Sequence, residues 1–257
     1  MKKIAAIFLA FASTSAFADK ITLRADDWCP YNCEPGSAKP GYMVEIAEKV
    51  FKEAGHTIEY KYMSWNRALK EVEEGKFAGA IGTSPSESEG FVFPKSEQGM
   101  MNSQFFVKAD STWKFTDIKS LDTAILGSIK DYEYGGGVDE YIEKNAKNNK
   151  KVQQLAGDDA TTKNIKKLES GRITTFVEDG NVFFNNIESL GLKGKFKSAG
   201  EVKVDDPSEN YIYIGFSPKN PKSKEYAKIL SDGMDKMRAS GELKKILAKY
   251  GLEDWKK

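Results

Sequence analysis

Residues 25–50 read ADDWCPYNCEPGSAKPGYMVEIAEKV, and this run decides the fold. It holds the end of a strand, a Pro- and Gly-rich loop and the start of a helix. Asp26, Asp27 and Trp28 follow the strand end. Gly41 and Tyr42 open a helix with Val44, Ile46, Ala47, Val50 and Phe51 at helical spacing. Such a unit sets an aromatic and carboxylates at the carboxyl end of a strand, where open α/β sheets bind small ligands. A plain βα unit with one stray surface Trp reads the same way, so the neighbouring segments must decide.

Outward from this unit the chain alternates. Strands are expected at 21–25, 57–63, 77–82, 104–108, 123–126, 152–155, 173–177 and 211–216. Helices are expected at 43–54, 65–74, 137–145, 160–170, 181–188, 222–240 and 242–250. Gly55, Gly75 and Gly171 close three of them. Ser64 and Asp159 stand at N-cap positions. The strand–helix–strand–helix–strand order of 21–82 recurs over 123–177, which predicts an α/β protein with parallel-rich sheets.

Residues 1–18 form a separate module. Lys2 and Lys3 precede an apolar run, and Ala16-Phe17-Ala18 is a small-x-small cleavage site, the pattern of a secretory signal peptide. The expected product is exported, most simply periplasmic. Without Lys2 and Lys3 the 39 basic residues become 37 against 38 acidic ones, a formal charge of −1. That balance gives no footprint for nucleic acid or an anionic membrane. Cys29 and Cys33 are the only cysteines, and two close cysteines in an exported protein predict a disulfide that stiffens the loop. One histidine, His56, argues against a Ser-His-Asp hydrolase and against a zinc site. No metal is expected.

The chain resembles the periplasmic solute-binding proteins of the polar amino-acid type, family 3. The resemblance runs through Trp28-Cys-Pro-Tyr31 with Gly41-Tyr-Met-Val-Glu45, Trp65-Asn-Arg67-Ala-Leu69 with Glu74-Gly-Lys76, and Leu168-Glu-Ser-Gly-Arg172 with Asp179. It ends with Ile214-Gly-Phe-Ser217, Met237-Arg-Ala-Ser-Gly241 and Ile246-Leu-Ala-Lys-Tyr250. It implies a type II fold of two Rossmann-like lobes joined by two hinge strands, near 105–109 and 211–216. Lobe one would comprise residues 19–107 and 212–257, and lobe two 108–211. Ligand would bind between the lobes and favour the closed form. An inner-membrane ABC permease would read that form. The protein would be a monomer without a cofactor and would do no chemistry.

Carried over residue by residue, the resemblance sets Trp28 and Trp65 as aromatic walls, Asp179 as the acceptor of a ligand ammonium, and Tyr132 near a helix start at the ligand. Asp179 reads equally as a cap of the helix that follows. The stretch 82–93 departs from the family. Where amino-acid binders carry an Arg that grips the ligand carboxylate, this chain has Glu87, three residues after Ser84. Either Arg67 takes the anion, or the ligand is not a standard α-amino acid. Arg67 reads equally as a surface residue or a structural ion pair, and a Glu87 that faces the cleft would suit a cationic or amine-bearing solute. The candidate ligand residues are therefore Trp28, Trp65, Arg67, Ser84, Glu87, Tyr132 and Asp179. Two other functions use the same residues: a lyase like cyclohexadienyl dehydratase, or a ligand-sensing subunit acting in trans.

Overall fold

The computed structural model describes residues 18–157 and 159–256. The expected signal peptide falls on residues 1–17, outside the described residues, apart from Ala18. Two five-stranded sheets of the same design carry the chain. In the first, β1 (Lys20–Ala25) pairs in parallel with β2 (Thr57–Tyr62) and β3 (Gly79–Thr83). β10 (Tyr211–Phe216) lies antiparallel between β3 and the short β4 (Gly99–Met100). In the second, β6 (Leu126–Ile129) pairs in parallel with β7 (Val152–Leu155) and β8 (Thr175–Asp179). β5 (Ser103–Lys108) lies antiparallel between β8 and β9 (Phe196–Glu201). Each sheet thus takes its antiparallel strand from across the chain. The crossings are residues 101–102 and 202–210. The two strands expected as crossings lie wholly inside one sheet each, because β5 and β10 are paired on both sides.

Side-chain alternation explains the layers. On β5, Phe105 packs with Leu126, Val177 and α3 (Val138–Asn145). Its neighbour Phe106 points to the other face and packs with Phe176, α4 (Ala160–Glu169) and α5 (Gly180–Ser189). Phe106 and Phe183 stack with ring centroids 3.7 Å apart. The first sheet buries one face under α1 (Tyr42–Glu53), α6 (Ser223–Ser240) and α7 (Glu242–Ala248). α2 (Trp65–Glu73) packs against Ala80 of β3. Among the described residues no helix is long and apolar enough to cross a membrane.

Several expected elements shift. Residues 118–123 form a 3-10 turn closed by a reciprocal cap between Asp117 and Ser120, so β6 starts three residues later than periodicity predicts. β8 starts at Thr175, two residues later than expected, where its pairing with Leu126 of β6 begins. β9 is an edge strand whose FKSAGE sequence reads as a loop, since only Phe196 is buried. Asp159 makes no side-chain cap and pairs with Lys163 at 2.7 Å instead. Ser64 also makes no side-chain cap.

The opening loop is fastened from two directions. Cys29 and Cys33 form the expected disulfide. The N-terminus of α1 then satisfies two of its unpartnered N–H groups on the loop: Tyr42 donates to the Pro30 carbonyl and Met43 to the Tyr31 carbonyl, both at 3.0 Å. Gly41 makes this approach possible. Its φ is +106°, and a Cβ there would overlap the Tyr31 carbonyl oxygen and the Asn32 backbone. Gly41→Ala is expected to cost about 3 kcal/mol, read as a lower midpoint in urea unfolding, while Gly55→Ala, which meets open space at φ +85°, costs less.

Candidate functional site

The carboxyl ends of β1, β3 and β6 converge on a cavity of about 560 Å³, inside the range of about 300–1,000 Å³ usual for small-molecule sites. Its walls come from both sheets and both crossings. β1 leads to Asp26 and Trp28; β3 leads to Ser84 and Glu87; β6 leads to Tyr132 and Glu133; the crossings add Met101 and Glu209.

Five of the expected ligand residues hold the walls together. Trp28 is buried, not surface-exposed, and stacks on Tyr31 at 4.1 Å between centroids. Trp65 lies on the first turn of α2, and its indole N–H donates to Glu87 Oε1 at 2.7 Å. Thr83 Oγ1 donates to Glu87 Oε2 at 3.2 Å. Tyr132 meets Trp65 edge-on at 6.5 Å and donates its hydroxyl to Asp26. Ser84, also on the wall, accepts the Glu87 backbone N–H at 3.2 Å and shares a hydroxyl contact with Ser86, which donates to Glu133 at 3.0 Å.

Two expected residues fall elsewhere. Arg67 is largely exposed on α2 and pairs with Glu71, one turn on, at 2.8 Å. It does not line the cavity. Asp179 caps α5: its Oδ1 accepts the N–H of Asn181 at 2.8 Å and of Val182 at 3.1 Å. Its Oδ2 accepts the Asn102 N–H at 2.7 Å and the Tyr31 hydroxyl at 3.0 Å. With four donors on a 3% exposed carboxyl, Asp179 does not line the cavity either.

Charge distinguishes this cavity. Asp26, Glu87, Glu133, Asp139, Glu140 and Glu209 line it, and among the described lining residues there is no Lys, Arg or His. Burial pushes the Glu87 carboxyl up to about 8, helped by the nearby Glu133 and Asp26 and opposed by the Trp65 and Thr83 bonds. Burial also raises Glu133 and Asp139. Asp139 is tied to the N–H groups of Tyr134 and Gly135. Among the described residues no group of three or more His, Cys, Asp or Glu is disposed to hold a metal ion.

Sequence reasoning missed the lining acids on the second sheet and the return crossing. Glu133, Glu140 and Glu209 sit in segments whose fold partners are remote in sequence. It also missed Glu178. This residue is 1% exposed and accepts the Trp28 indole N–H at 3.2 Å and the Thr161 hydroxyl at 3.1 Å. Burial pushes it up to about 8, and burial pushes its neighbour Asp179 up to about 6.

Residues 22–253 match the sequence profile of the bacterial extracellular solute-binding proteins, family 3. The chain belongs to this family. The probable amino-acid-binding protein YxeM of Bacillus subtilis (strain 168) is 24% identical over 236 residues, covering 88% of this chain and 81% of its own. Among solved structures, a histidine kinase sensor domain with similarity to periplasmic binding proteins superposes with a TM-score of 0.72 at 18% identity, covering 91% of this chain and 98% of the other. The arginine-, lysine-, histidine-binding protein ArtJ from Geobacillus stearothermophilus gives 0.70 at 17%, covering 92% and 97%. The family-3 chain therefore has the type II periplasmic-binding-protein fold, as the resemblance implied.

The raised carboxyls give this family-3 member a signed pH response. Glu87 and Glu178 titrate near 8 and Asp179 near 6 when folded, against about 4 when unfolded. The folded state holds these protons more tightly, so their contribution is complete below pH ~4 and is lost as pH rises towards 8. The melting temperature of the empty protein is expected to fall between pH 5 and pH 8.5. In Glu178→Gln, which stays neutral, the fall should be smaller; an equal fall would remove Glu178 from the account.

Proposed function

We propose that this protein is the solute-binding component of an ABC importer and captures a small amine-bearing solute between two lobes. Strand membership supports a first lobe of residues 18–101 and 211–256 and a second of 103–201. The leader-like residues 1–18 and the disulfide support a periplasmic location. The printed names of YxeM and ArtJ support an amino-acid-like solute.

One observation carries the amine: six acids and no basic side chain line the cavity among the described residues. A ligand anion about 4 Å from one of these carboxylates would be repelled by about 4 kcal/mol at an effective dielectric constant of about 20. A cation is attracted on the same scale and gains the Trp28, Trp65 and Tyr132 faces. Ser84 supplies a hydroxyl. Arg67, one turn from Glu71 and outside the cavity, offers no grip for a carboxylate. Binding shifts the population of closed molecules, which a permease then distinguishes from open ones.

A thermal-shift screen of refolded protein from residue 19 onward tests this reading. Amines are expected to raise the melting temperature by about 5–10 °C at a hundredfold excess over Kd. Organic acids and neutral sugars should give no shift, and Trp28→Ala and Glu87→Ala should lose the response. A shift with organic acids alone would overturn the reading. Turnover of prephenate or arogenate would replace it with the lyase.

A further inference from the structure

The reading above says that an amine enters; the arrangement of the lining says which kind. The strand ends place acids in a row along one edge of the first sheet. Asp26 follows β1, Glu87 follows the adjacent β3, and Glu209 precedes β10, which runs antiparallel beside β3. Glu87 and Glu133 meet around Ser84 and form one acidic end, walled by Trp65 and Tyr132. Glu140, on the first turn of α3, and Glu209, on the return crossing, line the same cavity, and Glu209 also accepts the Asp206 N–H at 3.3 Å. Gly136 packs against Val202 and the Lys203 backbone, which brings the first turn of α3, with Glu140, beside the return crossing that carries Glu209.

Apolar side chains share the lining with these acids. Ile81 and Ile212 come from the neighbouring strands β3 and β10, and Met101 and Val204 from the two crossings. The indole N–H of Trp65 is committed to Glu87 and that of Trp28 to Glu178, so their rings are left to offer faces rather than donors. Acids contributed from both sheets and the return crossing, with apolar side chains and aromatic faces among them, match a chain of methylenes with a cationic nitrogen at each end. A carboxylate beside either nitrogen would meet Glu87 and Glu133 or Glu140 and Glu209.

We propose that the cleft selects an aliphatic α,ω-diamine or polyamine that carries no carboxylate, one nitrogen at the Glu87 end and the other at the Glu209 end. The inference rests on the amine reading. The selection comes from two charges at once, so neither a monoamine nor an amino acid satisfies it.

Isothermal titration of the refolded protein with 1,4-diaminobutane, ornithine and butylamine tests the proposal, since ornithine adds only a carboxylate and butylamine lacks only the second nitrogen. Homologous diamines of three and five carbons and spermidine complete the series. The best diamine or polyamine is expected to bind about a hundredfold more tightly than ornithine and than butylamine. Glu209→Gln should collapse the preference for diaminobutane over butylamine, and Glu87→Gln should weaken both. Circular dichroism melts of each variant keep a folding defect apart from a binding defect. Ornithine binding as tightly as diaminobutane, or butylamine doing so, overturns the diamine while leaving the amine reading in place. No binding by any of these amines, with organic acids stabilising the protein in the thermal screen, overturns both.

Discussion

Two adjacent carboxyl groups at the end of β8 tie the molecule together. Glu178 takes the indole N–H of Trp28, and Asp179 takes the hydroxyl of Tyr31 and the N–H of Asn102. Trp28 and Tyr31 belong to the disulfide loop of the first sheet, while β8 is central in the second. Asn181 adds a bond to the Tyr31 hydroxyl at 3.2 Å, and Asn185 reaches the Cys29 sulfur at 3.4 Å. Buried carboxyls of this kind are costly unless they are hydrogen-bonded or neutral, and these are both bonded and raised. The arrangement holds the Trp28 ring at the cavity wall and brings the carboxyl ends of both sheets to one place.

The electrostatics of the cavity follow from what that closure encloses. Neutral donors hold the lining acids in position: Trp65 and Thr83 on Glu87, Ser84 and Ser86 beside Glu133, Tyr132 on Asp26. Hydrogen bonds fix a carboxylate without cancelling its charge. A cation arriving in the cleft therefore meets acceptors already oriented, and Glu87, which burial holds protonated in the empty cleft, gives up its proton as the cation arrives. The same enclosure disfavours an anion. On the proposed reading the family frame and the local residues act at different levels, one setting where a ligand would sit and the other which charge it would carry.

Much of the frame was legible from local pattern. The helices around Val44–Phe51 and Trp65–Val72 bury the faces their spacing marks, and the cysteine pair is bridged. The strand at 196–201 was not legible, because an edge strand with one buried residue carries no period. At the site, the placement of Glu87 and Trp65 on the wall follows from segments adjacent to predicted strand ends. Arg67 was open to two readings, and Glu71 four residues on was the signal for the structural one. Asp179 likewise had a cap reading in its sequence, two residues before Asn181, and the cap uses the carboxylate. Glu133 and Glu209 carried no signal at all. Their place depends on the exchange of strands between the sheets, a long-range property that no window of sequence contains.

The central claim is that a cation must find an ionised acid in a cavity where burial keeps Glu87 protonated near neutrality. Proton linkage measures this directly. Titrating the stabilising amine at pH 7 in buffers of different ionisation enthalpy gives the protons exchanged per molecule bound. The amine is fully protonated at that pH, so the exchange belongs to the protein. With Glu87 titrating at about 8 in the empty cleft, the account predicts release of about one proton per ligand, abolished in Glu87→Gln. Binding with no proton exchange, or with uptake, would contradict it.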